Sequence, residues 1–296
     1  MFIQTLKYIH DHPLNKGHFG SALRRYLSWQ IGSRLAPGPV AVPFVNKSML
    51  MVHPGMTGAT QNIYCGLHEF ADTSFLLHLL RPGDLFVDVG ANVGVYTILA
   101  SAAIGAKSIC FEPNPSTFDW LARNIRLNDL AGLVESHNAC AGKSEGVVGF
   151  DVSGQDTTNH VCESGSTSTQ VINVPVIALD QCVGVKQPIL IKIDVEGFES
   201  TVLAGADRVL SDPGLLALTV ELSDDCLRYG FGIDEAHNAI MSHGFRPASY
   251  DPFTRRLRAI DGRNRESANT IYLRDLQATQ LRVSEAPPFV VNGRKI

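Results

Sequence analysis

The stretch from Asp84 to Pro113 constrains this chain more than any other. Leu85-Phe86-Val87-Asp88-Val89 has the composition of a buried strand, and Gly90-Ala91-Asn92-Val93-Gly94 that of a tight turn. Residues up to Ile104 then carry helix-like apolar spacing, and Ser108-Ile109-Cys110-Phe111 returns as a second strand ending in Glu112. Strand, turn, helix and strand in that order make half of a nucleoside-binding sheet. Gly90 and Gly94 remove side chains where backbone must approach a ligand, and the helix that follows offers free N–H groups at its start. Glu112 stands roughly 20 residues past the turn, where an acid accepts hydrogen bonds from ribose hydroxyls. A dinucleotide fingerprint needs Gly-x-Gly-x-x-Gly. Here Asn92 and Val95 stand where its second and third glycines would be, which disfavours a pyrophosphate ligand.

From Asp84 onward strand and helix alternate. Strands are expected over 84–89, 107–112, 133–139, 189–194 and 215–222, with helices over 94–104 and 115–128. A helix near 234–243 leads to final strands near 245–250 and 269–274. Such alternation implies an α/β fold, a Rossmann-like doubly wound sheet of seven mostly parallel strands with helices on both faces. Ahead of it, residues 1–35 read as two short helices interrupted by Pro13 and Gly17, 40–45 and 49–52 as a strand pair, and 70–80 as a helix. Residues 1–80 are therefore expected to form a helix and strand cap, too short to bury much core alone. Residues 81–276 would be the nucleoside-binding domain, and 277–296 a C-terminal tail. The stretch 146–177 breaks the rhythm: strands near 150–152 and 171–176 flank a polar tract at 153–170. Loops above the carboxyl edge of a sheet are where ligands of such folds bind.

Composition narrows the partners. With 45% hydrophobic and 18% charged residues the chain can build a substantial core. No apolar run approaches the roughly 18 residues of a membrane span. His10, Asp11 and His12 stand where a secretory apolar region would lie, so a cytoplasmic location is expected. A formal charge of −4 gives no general attraction to phosphate backbones and argues against nucleic-acid partners. Arg255, Arg256, Arg258, Arg263 and Arg265 cluster near the end and read as a solvated loop. The cysteines at 65, 110, 140, 162, 182 and 226 include no Cys-x-x-Cys pair. They are expected to be reduced and structural, forming neither a zinc site nor a disulfide framework.

The pattern Asp88-x-Gly90-x-Asn92-x-Gly94 resembles the first motif of class I S-adenosylmethionine-dependent methyltransferases. Residues 188–199, Pro-Ile-Leu-Ile-Lys-Ile-Asp-Val-Glu-Gly-Phe-Glu, followed by Val202-Leu203-Ala204-Gly205-Ala206, resemble the second signature of the FkbM methyltransferase family. The segment from about Glu69 to Glu221 follows that family's order, including Phe111-Glu112-Pro113-Asn114-Pro115 and the pair Asn124 and Asn128. The resemblance implies S-adenosylmethionine as cofactor. Its expected contacts are Asp88, Gly90, Ala91, Asn92, Gly94, Glu112 and Pro113, with the adenine against Asn138 and Ala139.

A second group is placed to carry chemistry. Lys192 and Asp194 are two apart on a strand and share a face, Glu196 lies in the following turn, and Glu221 closes the next strand. Asp194, Glu196 and Glu221 are thus expected to converge at the methyl acceptor, with Lys192 as their charge partner. A plainer reading makes Asp194 a helix cap and Glu199 a helix-start acid satisfied by the macrodipole. His160, within Thr157-Thr158-Asn159-His160, is a further candidate base, although a lone loop histidine is usually just solvated. Carboxylates so arranged can also hold a divalent ion; Lys192 would repel it, so no metal is assigned. The resemblance implies O-methylation of a hydroxyl on a sugar, glycan or polyketide-type product, with a small-molecule, glycan or lipid-linked acceptor as partner. N-methylation of a small molecule or protein side chain is an alternative, as is a catalytically inactive nucleotide-binding scaffold; intact Asp194, Glu196, Gly90 and Gly94 argue against the last. A homodimer is left open.

Overall fold

Strand residues that alternate between two apolar faces dictate a sheet covered on both sides, and that is the architecture found. A computed structural model describes residues 2–153, 159–162, 170–232 and 234–296. Thr157, Thr158 and most of the polar tract at 153–170 lie outside the described residues.

The N-terminal part contains α1 (Phe2–Asp11), α2 (Phe19–Leu35), the antiparallel hairpin β1 (Val40–Pro43) and β2 (Met49–Val52), α3 (Thr57–Cys65) and α4 (Phe70–Leu79). Pro13 and Gly17 separate the first two helices as expected, Gly17 at a φ of 75°. Helix α3, with sequence Thr-Gly-Ala-Thr-Gln-Asn-Ile-Tyr-Cys, has weak helix propensity and was not expected; packing against α2 overrides propensity. Next come β3 (Leu85–Val89), α5 (Val95–Ile98) continued by a π-helical turn at Leu99–Ile104, β4 (Lys107–Phe111), α6 (Pro115–Leu127) and β5 (Val134–His137). The break in rhythm is a four-stranded side sheet of β6 (Cys140–Ala141), β7 (Gly146–Asp151), β8 (His160–Val161) and β9 (Val171–Ile177). The chain then forms α7 (Leu179–Val183), β10 (Pro188–Ile193), α8 (Glu199–Leu203), α9 (Asp207–Leu210), β11 (Ala217–Glu221), α10 (Glu235–Ser242), β12 (Arg246–Asp251), β13 (Arg256–Ala259) and β14 (Asn269–Leu273). It closes with α11 (Leu276–Ser284) and the hairpin β15 (Val290–Val291) and β16 (Arg294–Lys295), which meets the hairpin turn after β1 through Asn46.

The main sheet runs β13-β12-β14-β11-β10-β3-β4-β5. Five strands from β11 to β5 are parallel and the other three antiparallel. There are eight strands rather than seven. The addition, β13, comes from the arginine cluster read above as a solvated loop. Arg255 turns the chain at a φ of 54° and donates to the carbonyls of Ala286, Pro287 and Ile296, so it ties the C-terminal segment down. Along the strands Phe86, Cys110, Leu190 and Ala217 join the core under α4, α6 and α11, while Val87, Ile109, Ile191 and Leu218 join the opposite core under α8, α9 and α10.

From β3 the chain winds outward through β4 and β5, then returns to lay β10 on the other side of β3. The carboxyl ends Val89 and Ile193 therefore stand side by side at a topological switch point, where open α/β sheets bind ligands. Asn124 and Asn128 on α6 accept from the N–H groups of Met51 (2.6 Å) and Met49 (2.8 Å), capping the open edge of β2. Among the described residues no helix is long and apolar enough to cross a membrane.

Candidate active site

The turn after β3 is shaped by its neighbours. At Gly90 (φ 81°) a Cβ would run into the carbonyl oxygen of Asp194, so the close approach of β10's end requires glycine. At Gly94 (φ 93°) a Cβ would lie 2.6 Å from the Leu121 side chain, so that glycine serves the packing of α6. Glu112 holds the turn from the next strand: its Oε2 accepts from the Asn92 N–H at 3.0 Å and its Oε1 from the Asn114 N–H at 2.9 Å. Burial pushes this carboxyl up to about 7 despite those two donors.

Gly90, Asn92, Glu112, Pro113, Ala139, Asp194 and Glu196 all line one cleft, with Gly90 packed directly against the Asp194 carbonyl. Asp88, Ala91, Gly94 and Asn138 are not among its lining residues. Asp88 lies beneath the cleft, fully buried, raised by that burial, and bonded by the Thr97 hydroxyl at 2.7 Å; it is the register neighbour of Lys192. Asn138 donates to the carbonyls of Glu112 and Pro113 at 2.8 and 3.0 Å, fixing that loop from behind. The side sheet supplies lining residues that sequence reasoning missed: Phe150, Asn159 and Val161. Asn159 Oδ1 is buried with no partner among the described residues, in a residue that lines the cleft. The broken rhythm at 146–177 signalled an insertion, but which of its residues turn inward depends on strand register, which only folding sets. His160 pairs with Asp151 in that sheet and does not line the cleft.

At the carboxyl end of β10 Lys192 Nζ lies 2.7 Å from Asp194 Oδ2, with 4% and 29% of the two side chains exposed. Burial would lower the lysine, but Asp194, Asp88 and Glu69 hold it above its ordinary value. Burial would raise Asp194, yet Lys192 and a hydrogen bond from Glu221 bring it below the usual carboxylate range. Glu221 is pushed up to about 9 by burial and by Asp194, so it keeps its proton and donates to Asp194. Glu196 is pushed up to about 7, first by burial and then by Asp194. It sits in a left-handed turn (φ 54°), followed by Gly197 (φ 97°). The Val195 and Gly197 N–H groups go to Glu199 Oε1 at 3.1 and 3.2 Å. The capping job considered for Asp194 therefore belongs to Glu199, and Asp194 faces the cleft. Carboxylate oxygens of Asp194, Glu196 and Glu221 lie within 4.8 Å of one another, a spacing suited to a shared proton or a divalent ion.

Behind this group the N-terminal part contributes a network without a sequence signal. Glu69 accepts from the Tyr96 hydroxyl at 2.7 Å and from Asn269 Nδ2 at 2.9 Å, and Lys192 Nζ lies 4.7 Å from the centre of the Tyr96 ring. Asp72, also bonded by Asn269, is pushed up to about 7 by burial and then by Glu69. Glu69 and Asn269 are 200 residues apart, beyond any local pattern.

Residues 88–247 match the family model described as the methyltransferase FkbM domain. Hexuronic acid methyltransferase AglP of Haloferax volcanii is 31% identical over 153 residues, 51% of this chain and 61% of that protein. The 31-O-demethyl-FK506 methyltransferase FkbM of Streptomyces tacrolimicus is 27% identical over 218 residues, 62% of this chain and 82% of that one. The chain thus spans about three fifths of the length of the first of these relatives. A solved FkbM methyltransferase from Methylobacillus flagellatus KT has 17% identity and a TM-score of 0.43, covering 86% of this chain and 60% of its own.

Proposed function

The chain belongs to the FkbM methyltransferase family, and from that membership we propose that it is an O-methyltransferase that uses S-adenosylmethionine on a hydroxyl of a sugar or polyketide-type acceptor. The observation that carries this reading is Glu196, poised at about 7 beside the cleft and within 4.8 Å of the ionised Asp194. A base with a pKa near the working pH combines adequate basicity with the right protonation state. When bound, S-adenosylmethionine supplies a methyl group on a sulfonium leaving group.

The residues present fit that cofactor. Glu112 offers remaining lone pairs to ribose hydroxyls, Asn159 Oδ1 offers an unused acceptor, and Ala139, Phe150 and Val161 offer apolar walls to a flat base. Beside Asp194, Glu196 takes the acceptor proton. Asp194, kept ionised by Lys192 and by the proton on Glu221, accepts a hydrogen bond from a second, neighbouring hydroxyl of the acceptor and so holds the reacting oxygen in line. Alignment of this kind lowers the barrier by several kcal/mol, and a positioned base contributes about 10²- to 10⁴-fold. The name of one relative, acting on 31-O-demethyl-FK506, supports an oxygen acceptor, and that of the other, acting on a hexuronic acid, supports a sugar. We favour chemistry without a metal, because Lys192 already neutralises Asp194.

Transfer of labelled methyl from S-adenosylmethionine to a panel of uronic acids, neutral glycosides, macrolide alcohols and amines tests the proposal. Methylation confined to amines, or binding of the donor without transfer to any acceptor, would overturn the hydroxyl assignment. Full activity in the presence of a chelator is expected; loss that Mg²⁺ or Mn²⁺ restores would replace the metal-free version with a metal-assisted one.

A further inference from the structure

The cluster on the far side of β5 has no part in the chemistry above. Glu135 and His137 are two apart on this strand and share a face, and Cys182 reaches them from α7. His137 Nε2 lies 3.1 Å from Glu135 Oε1 and 3.2 Å from Cys182 Sγ, and Cys182 Sγ lies 4.0 Å from Glu135 Oε1. A single imidazole nitrogen cannot donate one proton to both neighbours at once, yet sulfur, nitrogen and oxygen close on a common point. Zinc–ligand bonds of about 2.0–2.3 Å at tetrahedral angles place ligand atoms about 3.3–3.6 Å apart, close to these separations. Lys186 binds the other oxygen of Glu135, Oε2, at 2.7 Å, leaving Oε1 for the centre. The His137 ring is stacked on buried Phe111 with centroids 5.0 Å apart, so its plane is set before any ligand arrives.

We propose that Glu135, His137 and Cys182 form a divalent metal site of the zinc type, with solvent completing a fourth position. Thiolate and imidazole select zinc-like ions over Mg²⁺ or Ca²⁺. Cys182 binds as the thiolate, and its proton passes to solvent. Exposure of Glu135 and partial exposure of His137 and Cys182 leave the fourth position open to water. Metal here ties α7 to β5, the free edge of the main sheet. It also fixes the ring against Phe111, whose carbonyl accepts the N–H groups of Gly90 and Ala91. No zinc-like spacing appears in the sequence because Cys182 stands 45 residues from His137.

The test uses the tag-free full chain, stripped with chelator, then dialysed against Zn²⁺ or Co²⁺. We expect uptake of one ion, a thiolate-to-metal charge-transfer band with Co²⁺, and a thermal midpoint that rises with Zn²⁺. Cys182→Ser should remove the band and weaken Zn²⁺ uptake at least tenfold, and His137→Ala should weaken it as much. Because Cys182→Ser is nearly isosteric, it decides the matter should His137→Ala not fold. No uptake, a Co²⁺ spectrum without a thiolate band, or uptake unchanged in Cys182→Ser would overturn the proposal. So would uptake lost only in Glu221→Gln, which would move the ion to the other carboxylate group.

Discussion

Lys192 and Asp194 form an ion pair in which the lysine is almost wholly buried and the aspartate opens onto the cleft, 2.7 Å apart. Asp88, beside Lys192 in register, and the Tyr96 ring complete the lysine's surroundings. Removing the cation leaves carboxylates without compensation. Lys192→Met should therefore destabilise the fold by about 3 kcal/mol, the lower end of the cost of breaking a buried pair, since Asp194 is partly solvated. Urea unfolding measures this, and stability within about 0.5 kcal/mol of the parent would show the pair to be dispensable.

Glu196 should impose the pH profile. Its carboxyl is raised from the ordinary carboxylate value to about 7, so the basic form accumulates only above that pH and activity is lost as pH falls through it. Log kcat/KM should rise with pH and level off above about 8. In Glu196→Gln turnover should drop by about 10²-fold or more and the acidic limb should vanish, with donor affinity unchanged. A parallel, merely lowered profile in the variant would assign the limb to another group.

Glu112 is expected to serve the fold and the donor together. In Glu112→Ala the N–H groups of Asn92 and Asn114 lose their acceptor, so stability should fall by about 1–3 kcal/mol and donor affinity by roughly ten- to hundredfold. Calorimetric titration with S-adenosylmethionine beside a thermal melt separates the two effects. Affinity preserved in a destabilised variant would leave Glu112 as scaffold alone.

Asn159 should affect binding without affecting the fold. Its Oδ1 lacks a partner among the described residues, so Asn159→Ala deletes no described hydrogen bond to that oxygen. Donor affinity is expected to fall about five- to tenfold, the worth of one hydrogen bond, at constant melting temperature. A large drop in stability with no change in affinity would contradict this.

The two turn glycines should differ. Gly90→Ala meets the backbone of Asp194 as well as the left-handed penalty, and is expected to cost about 3 kcal/mol or more. Gly94→Ala meets the mobile end of Leu121 and should cost about 1–2 kcal/mol. Equal losses in urea titrations would remove the distinction.

The sequence by itself determined the sheet, the switch point and which carboxylates gather beside it. The period-two apolar faces of Phe86 and Val87 or Leu190 and Ile191 leave one burial solution, and Asp194, Glu196 and Glu221 had to fall at strand ends for the same reason. Local pattern also explains the glycine turn and the helix start at Asn114 and Pro115. What tertiary structure decided is every relation between distant segments. It placed Asp88 beneath the cleft as a neighbour of Lys192, gave the N–H groups of Val195 and Gly197 to Glu199, and built β13 from the arginine cluster. It also brought Asn159, just before β8, to the wall of the cleft and Glu69 from the N-terminal part behind Lys192. The division of labour among the carboxylates belongs here too. Burial and charge, which depend on what surrounds a side chain in space, hold Asp194 ionised, leave Glu221 protonated and set Glu196 near neutrality.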